Sequence, residues 1–357
     1  MKKILSLLLL CALTLPVAAQ RTHHFNWEYG ADFRYIFDNR EFAYSNDEIV
    51  PSGTMHTIVL TPTVGFSLET SPRVRHSLMA GVELAHDMGT RNWSDFAREP
   101  IIYYNAHARA KKGTFDAYAG IFARTNMEGA YGEAFFSGGF RNSDRNLEGV
   151  LLKWRAERFF AEIGLDWMGQ YGPETRERFQ VFSAGRWTAT NWLSLGWAGS
   201  FYHYACSEIA QNVVDNHLLQ PWVKADLSHN NRWQELSAQA SLYVSYQRDR
   251  GRSAQPLIPY GGELKLTAKR WNVMLQNTTY LGGDLMPYFK QLDPAGLPYA
   301  TNLYFGTPCF NGFFDLAELA WTPQIARNVQ LRLTARAYFD SLGFLGWQQI
   351  CSLRFCL

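Results

Sequence analysis

The chain has no long apolar run beyond its first twenty residues, and it carries little charge. Of its 357 residues, 18% are Asp, Glu, Lys or Arg, and the formal net charge is +2. No segment after Gln20 approaches the roughly 18 to 20 apolar residues that a membrane-spanning helix needs. A nearly neutral chain also gives no reason to expect a nucleic-acid partner. The sequence therefore argues against membrane helices and against nucleic-acid binding.

Motifs for catalysis, metals or cofactors are also missing. There is no glycine-rich phosphate loop, metalloprotease helix motif or nucleophile elbow. Beyond Cys11 the four cysteines are scattered, without metal-finger spacing and too few for a disulfide scaffold. Cys206 and Cys309 fall in predicted loops on the same side, and whether they form a disulfide is left open. We therefore predict no enzyme, no metal site and no cofactor.

The N-terminus has the pattern of a secretory signal peptide. Lys2 and Lys3 precede an apolar run from Ile4 to Leu15, and small residues end at Ala19. We expect the segment 1–19 to be removed, so that the mature chain starts at Gln20. Residues 20–357 are then expected to form a single domain.

The chain beyond this leader alternates between apolar and polar residues at every second position. From Phe25 to Phe37 the odd positions are aromatic or alanine, and most of the even ones are polar. A two-residue period predicts β-strands, because an amphipathic helix would repeat its apolar residues at three and four. Sixteen segments show this pattern: 25–37, 58–69, 74–88, 102–111, 115–124, 149–155, 159–168, 179–188, 192–203, 218–227, 234–247, 260–268, 271–281, 313–322, 329–340 and 346–357.

The links between these segments alternate in length. Short polar links, such as 70–73 and 269–270, are followed by long ones, such as 125–148 and 282–312. Alternating short turns and long loops are typical of an outer-membrane barrel with an even number of strands. We therefore predict an all-β fold, a transmembrane antiparallel up-and-down barrel of about 16 strands. Its short turns are expected on the periplasmic side and its long loops outside the cell.

The last strand and three internal blocks resemble known barrels. Leu353, Phe355 and Leu357 share one face of the terminal segment, which resembles the strand that the barrel-assembly machinery recognises, although the usual final residue is Phe or Trp. Blocks similar to an uncharacterised group of porin-like outer-membrane barrels of Gram-negative bacteria are Leu165-Asp166-Trp167, Arg176-Glu177-Arg178-Phe179 and Val213-Val214-Asp215-Asn216. The resemblance implies the fold and a location in the cell outer membrane, and it implies no activity.

An outer-membrane location predicts several partners. The outward face is expected to contact membrane lipid and lipopolysaccharide, and the last strand to contact the assembly machinery. A homo-oligomer and a surface lipoprotein partner both remain open.

Alternation also predicts which charged side chains face the lumen. A barrel of sixteen strands is wide enough for an aqueous channel. Unpaired charges in a dry space are costly, so the charges in the lumen need either water or partners. They are expected either to line a water-filled pore or to form a paired network that braces the wall. The candidates are Asp32, Arg34, Arg75, Glu83, His107, Arg109, Arg124, Glu162, Asp166, Arg186, Lys224, Asp226, Glu263, Lys265, Arg332 and Arg336.

The two longest links carry aromatic residues that argue against disorder and could narrow or plug the pore. These constriction or ligand candidates are Tyr131, Phe135, Phe136, Tyr288, Phe289, Tyr299 and Tyr304. Our first hypothesis is a porin-like passive channel for small polar solutes. The alternative is a non-conducting barrel that binds surface glycan or serves as a subunit of an outer-membrane protein assembly.

Two residue pairs on the predicted lipid face are candidates for lipid chemistry or a metal. Pairing through a turn at Thr190 places Ser183 six residues from His203, on the order of 20 Å away, which is too far for catalysis. Pairing through a turn near Ser71 places His56 opposite His86, but the third ligand of a catalytic zinc is missing. Neither pair predicts a site.

Overall fold

The computed structural model describes residues 24–42, 52–94, 96–228, 232–293 and 296–357. The predicted signal peptide 1–19 and the expected mature start at Gln20 lie outside the described residues.

Nearly all regular structure in these ranges is β-strand, in one antiparallel sheet. The strands are β1 (His24–Phe42), β2 (Gly53–Ser71), β3 (Val74–Asp87), β4 (Ala97–Ala110), β5 (Gly113–Ala123), β6 (Asn146–Arg155), β7 (Phe159–Gly169), β8 (Arg178–Thr188), β9 (Leu193–Tyr204), β10 (Val214–Asp226), β11 (Glu235–Asp249), β12 (Tyr260–Arg270), β13 (Val273–Gly282), β14 (Gly312–Trp321), β15 (Gln324–Ala326), β16 (Val329–Asp340) and β17 (Gly343–Cys356).

The sheet closes into a barrel because its first and last strands pair with each other. Phe33 of β1 lies opposite Leu60 of β2 on one side and Phe355 of β17 on the other. The three-residue β15 lies in the link between β14 and β16, and β14 pairs directly with β16 past it. Sixteen long strands therefore form the cylinder, which confirms the predicted fold and strand number.

The alternation separates two faces of the wall. On β1, Trp27 and Tyr29 are exposed on the outer face, whereas Asp38 on the opposite face is buried. The outer face carries exposed apolar side chains on strand after strand, for example Leu266, Leu275 and Leu319. A closed antiparallel barrel pairs its backbone groups between strands, so an apolar outer face is compatible with a lipid environment.

The two ends of the barrel differ in the length of their links. We call one end of the barrel the turn end. Two-residue links, 72–73, 111–112 and 271–272, join β2 to β3, β4 to β5 and β12 to β13 there. We call the opposite end the loop end. Its links are long and include 124–145 and 283–311. Trp271 and Asn272 both have positive φ, 53° and 62°, as a type I′ hairpin turn requires. The alternation predicts a strand that begins at Trp271, but Trp271 lies in the turn and β13 begins at Val273.

The few helices lie in the two longest links. Helix α1 (Gly138–Ser143) is capped by Ser137, whose hydroxyl accepts a hydrogen bond from the backbone N–H of Phe140 at 3.1 Å. Helix α2 (Ala300–Leu303) and a 3₁₀ turn (Arg124–Asn126) are shorter. In the described part of the chain, no helix has the length and apolar character to cross a membrane.

Two predicted cross-strand pairings are wrong by two residues. His86 lies opposite Ile58, not His56, because the hairpin turn is at 72–73 and the register shifts between Glu69 and Ser71. Similarly, Thr188 pairs with Ser194, which centres that turn on Asn191. A turn centre misplaced by one residue moves every cross-strand partner by two.

Candidate functional site

The predicted lumen charges all lie on the inner face of the wall. The charged side chains of β1 and β16 pair with each other and with charged side chains of the neighbouring strands. The Asp32 carboxylate accepts hydrogen bonds from Arg34, at 2.5 Å, and from Arg354 of β17, at 2.8 Å. Glu318 of β14 likewise accepts from Arg332, at 2.7 Å, and from Arg336, at 2.6 Å. Each carboxylate is therefore shared by two guanidinium groups.

A second group runs along β3 to β7. Glu83 pairs with Arg145 at 2.5 Å, and His107 contacts Asp116 at 2.7 Å. Arg75 pairs with Glu28 near the turn end. These contacts brace neighbouring strands and the link 124–145.

Arg124 and Glu162 also hold that link. Arg124 is buried and donates to Asp144 at 2.7 Å and to Asp166 at 2.8 Å. Glu162 accepts hydrogen bonds from the backbone N–H groups of Glu128 and Gly129, both at 2.9 Å. A buried carboxylate needs such donors, because burial without partners is costly.

The remaining candidates lie on β4, β8, β10 and β12. Lys224 pairs with Glu235 at 2.7 Å, and Asp226 accepts a hydrogen bond from the N–H of Ser228 at 2.9 Å. Glu263 is buried and accepts from the Tyr243 hydroxyl at 3.0 Å. The other three inward candidates are Lys265 beside Glu263, exposed Arg186, and Arg109 in a cavity at the turn end.

The link 124–145 enters the barrel and crosses it. Glu128 reaches Lys153 and Arg155 on β6, with N–O distances of 2.7 Å from Nζ and from Nε. Five residues later, Glu133 pairs with Arg336 on β16, at 3.2 Å. Strands β6 and β16 lie on nearly opposite sides of the cylinder. The link therefore spans the lumen from wall to wall.

The ion pairs of the crossing link keep the Glu128 carboxylate charged. Hydrogen bonds from Arg155 and then Lys153 lower the pKa of Glu128, in the link, from 4.5 to about 2. The carboxylate therefore stays ionised, and paired, at neutral and mildly acidic pH.

The link 283–311 folds inward on top of the first one. Thr307 donates its hydroxyl to Glu133 at 2.9 Å, and the Ser137 N–H donates to the Phe305 carbonyl at 2.7 Å. The Tyr299 hydroxyl donates to buried Asp249 of β11 at 2.5 Å. The two links thus bind each other as well as the wall.

Aromatic packing fills one side of the lumen where the links meet the wall. The predicted loop aromatics are buried there, except Phe289, which is partly buried: Tyr131, Phe135, Phe136, Tyr288, Tyr299 and Tyr304. We call this cluster, with its wall partners, the aromatic plug. Sequence reasoning missed those wall partners, inward-facing rings on β5, β8, β9, β11, β13 and β14 and one ring preceding β14: Phe122, Phe182, Tyr202, Tyr243, Tyr280, Phe310 and Phe314. The missed signal was an aromatic residue at an inward position near the loop end of a strand.

Cavities border β1 at both ends of the barrel. At the turn end, about 460 Å³ is lined by polar side chains of β1 to β5, including His107, Arg109 and Asp116. At the loop end, about 390 Å³ lies between the two links and the wall, next to Arg40 and Arg336. The lumen is therefore incompletely filled at both ends, with a mainly polar lining at the turn end and a mainly apolar lining, which includes Tyr304, at the loop end.

The structure describes no metal cluster and no disulfide. Within the described ranges, no group of three or more His, Cys, Asp or Glu side chains is placed to hold a metal ion. Cys206, Cys309, Cys351 and Cys356 are free thiols, so the bridge between Cys206 and Cys309 is not formed.

Comparisons with known proteins identify the fold. No family model matches the chain, and no curated protein matches it by sequence. Among solved structures, OmpT of Vibrio cholerae in its trimer form is 11% identical with a TM-score of 0.52, covering 93% of this chain and 99% of that chain. OmpF of Salmonella typhi, in complex with daunomycin, is 9% identical with a TM-score of 0.50, covering 93% and 97%. The predicted outer-membrane, porin-like barrel is thereby confirmed as the fold.

Proposed function

We propose that the protein is a narrow porin-like channel that lets small polar solutes cross the outer membrane. The proposal depends on the observation that side chains fill the two sides of the lumen unequally. The aromatic plug occupies the side of β5 to β14 and reaches Tyr338 of β16 at the loop end, whereas the rest of the inner face of β1, β16 and β17 is mainly polar and partly exposed. We call this inner face the polar wall. A channel along it would be far narrower than an empty sixteen-stranded barrel.

The contacts of the links support a fixed constriction. The crossing link is held by ion pairs to β3, β6, β7 and β16, through Glu83, Lys153, Asp166 and Arg336. A segment tied to four strands does not open freely. The proposal is therefore passive passage limited by solute size.

Single-channel recording in a planar bilayer tests this proposal. Purified full-length protein should give small, stable conductance steps. A variant with 286–308 replaced by a short Gly-Ser linker should give steps several-fold larger, since the upper link would be gone. Absence of steps from the wild type, with the barrel shown intact by heat-modifiable migration, would overturn the proposal.

A second candidate is a non-conducting barrel that binds surface glycan at the loop end. The cavity there combines the rings of Phe140 and Phe305 with the side chains of Arg40, Glu133 and Arg336. Ring faces beside charged hydrogen-bonding groups suit a sugar. An intact barrel without conductance that binds sugars in calorimetry would favour this candidate.

The proposed function also includes contacts with membrane lipid and with other proteins. The exposed apolar outer face supports contact with lipid and lipopolysaccharide, and β17, which closes the barrel against β1, is the proposed signal for the assembly machinery. The trimer form of one structural neighbour motivates a test for a homo-oligomer. Gentle detergent extraction should show whether a second copy or a surface lipoprotein remains attached.

We propose transport without catalysis. Ser183 lies opposite Gly199, whereas His203 lies opposite Phe179, four residues farther along the strand. A nucleophile and its base must be within hydrogen-bond reach, and this pair is not.

A further inference from the structure

Five arginines face the lumen from the polar wall, and the strand register arranges them in two levels. Arg40 and Arg336 flank Gln348 of β17 from either side, and we call this pair the upper arginine tier. Arg34 lies directly opposite Arg354, with Arg332 on the adjoining strand; these three form the lower arginine tier. Gln348 and Arg354 are six residues apart on β17, so the tiers are on the order of 20 Å apart along the strand.

The carboxylates that pair with these arginines lie deeper in the wall. Glu318 is 4% exposed, whereas the side chain of its partner Arg332 is 44% exposed. Asp38 is 1% exposed, whereas Arg40, which donates to it at 2.6 Å, is 23% exposed. Asp32 is likewise less exposed than Arg354. In these three pairs the guanidinium group is more exposed than the carboxylate, whereas in the Arg34–Asp32 pair the two are about equally exposed, at 17% and 19%.

This layering decides the charge that a passing solute meets. Each pair is nearly neutral from a distance, but a solute in the lumen approaches the guanidinium edge before it reaches the carboxylate. A confined path with low-dielectric walls strengthens such local fields. Guanidinium groups also match the geometry of carboxylates. Among the acids that pair with these five arginines, Asp32, at 19%, and Glu133, at 22%, are the most exposed. Asp32 is shared by two guanidinium groups, and Glu133 pairs with the less exposed Arg336 at the upper tier.

We infer that the polar wall makes the channel selective for small anions, carboxylates included. This inference rests on the proposed channel function and adds the class of solute. The sum of all lumen charges does not predict it, because acids and bases are nearly balanced there. It follows from the greater exposure of the guanidinium groups of Arg332, Arg40 and Arg354 than of the carboxylates they pair with.

The reversal potential in a tenfold KCl gradient across a planar bilayer tests the inference. The wild type should pass chloride about threefold or more in preference to potassium, as expected for a confined path of one charge sign. Arg354→Gln and Arg332→Gln should each lower that ratio about twofold, because each removes an exposed positive charge from the path. Both variants should fold, since Asp32 keeps Arg34 and Glu318 keeps Arg336 as partner.

Arg158→Gln is the matched control. Arg158 is exposed in the turn between β6 and β7 and is not on the lumen wall, so its removal should leave the ratio unchanged. Conductance with a preference for potassium, or an equal effect of all three substitutions, would overturn the inference and leave the channel intact. Absence of any conductance would overturn the proposed function and the inference with it.

Discussion

At the scale of single residues, most charged side chains in this lumen are paired, and some of the pairs are buried while others are exposed. Arg124 is buried between Asp144 and Asp166, and it also donates to the backbone carbonyl of Asn146 at 2.9 Å. Arg75, paired with Glu28, is about half exposed. The two pairs are similar in chemistry and differ in solvation, which should decide what each contributes to stability.

Removal of Arg124 should be far more damaging than removal of Arg75. Arg124→Leu leaves the buried Asp166 carboxylate without its counter-charge, and such a loss typically costs about 3 to 5 kcal/mol in the free energy of unfolding. Arg75→Ala, an exposed pair screened by water, should cost about 1 kcal/mol or less. Urea unfolding in lipid vesicles, followed by tryptophan fluorescence, measures both. Equal losses in the two variants would show that burial of Arg124 is not what makes its pair important.

At the scale of elements, the sequence predicted the wall well. The alternation from Phe25 to Phe37 identifies β1 because a barrel strand must separate lipid-facing from inward side chains at every step. All sixteen long strands were found in this way, although the predicted segments 25–37 and 58–69 are too short, since β1 extends to Phe42 and β2 begins at Gly53. The ends of strands are less predictable, because the alternation can continue beyond the membrane.

The inward links could not be predicted in the same way. Their aromatics suggested a plug, but their path depends on long-range contacts such as those of Glu133 with Arg336 and Thr307, which have no periodic signal. The register errors at His86 and Ser183 have a related origin, because a turn centre is set by local backbone geometry and the polar residues around it do not specify one position.

The crossing link should also respond to pH through Glu128. Its pKa is lowered from 4.5 to about 2 in the folded protein. A lowered carboxyl pKa stabilises the fold above the unfolded value, and that contribution is lost as pH falls towards the folded value. The urea midpoint of Glu128→Gln should therefore lie below that of the wild type at pH 6, and the difference should shrink as pH approaches 2.

Glu174→Gln provides the control for this titration, because Glu174 is exposed in the link between β7 and β8. Its midpoint should follow the wild type at every pH. A Glu128→Gln difference that persists unchanged near pH 2 would show that the ion pairs with Lys153 and Arg155 are not its source.

At the scale of the whole molecule, the lumen is divided into two unequal parts. One side is an apolar core made by two inward links and the wall, and it resembles the interior of a soluble domain. The other side keeps paired charges, and cavities of about 460 and 390 Å³ lie at the two ends of the barrel. The barrel thus has the fold of a wide pore and the filling of a narrow one.

Permeation into liposomes tests this division most directly. Vesicles containing the purified protein would be placed in isotonic solutions of polar solutes of increasing size, from glycerol through monosaccharides to trisaccharides, and their swelling rates recorded. The account predicts rapid entry of the smallest solutes and a steep fall in rate by the size of a disaccharide. Equal entry of the whole series, or entry of none, would contradict it.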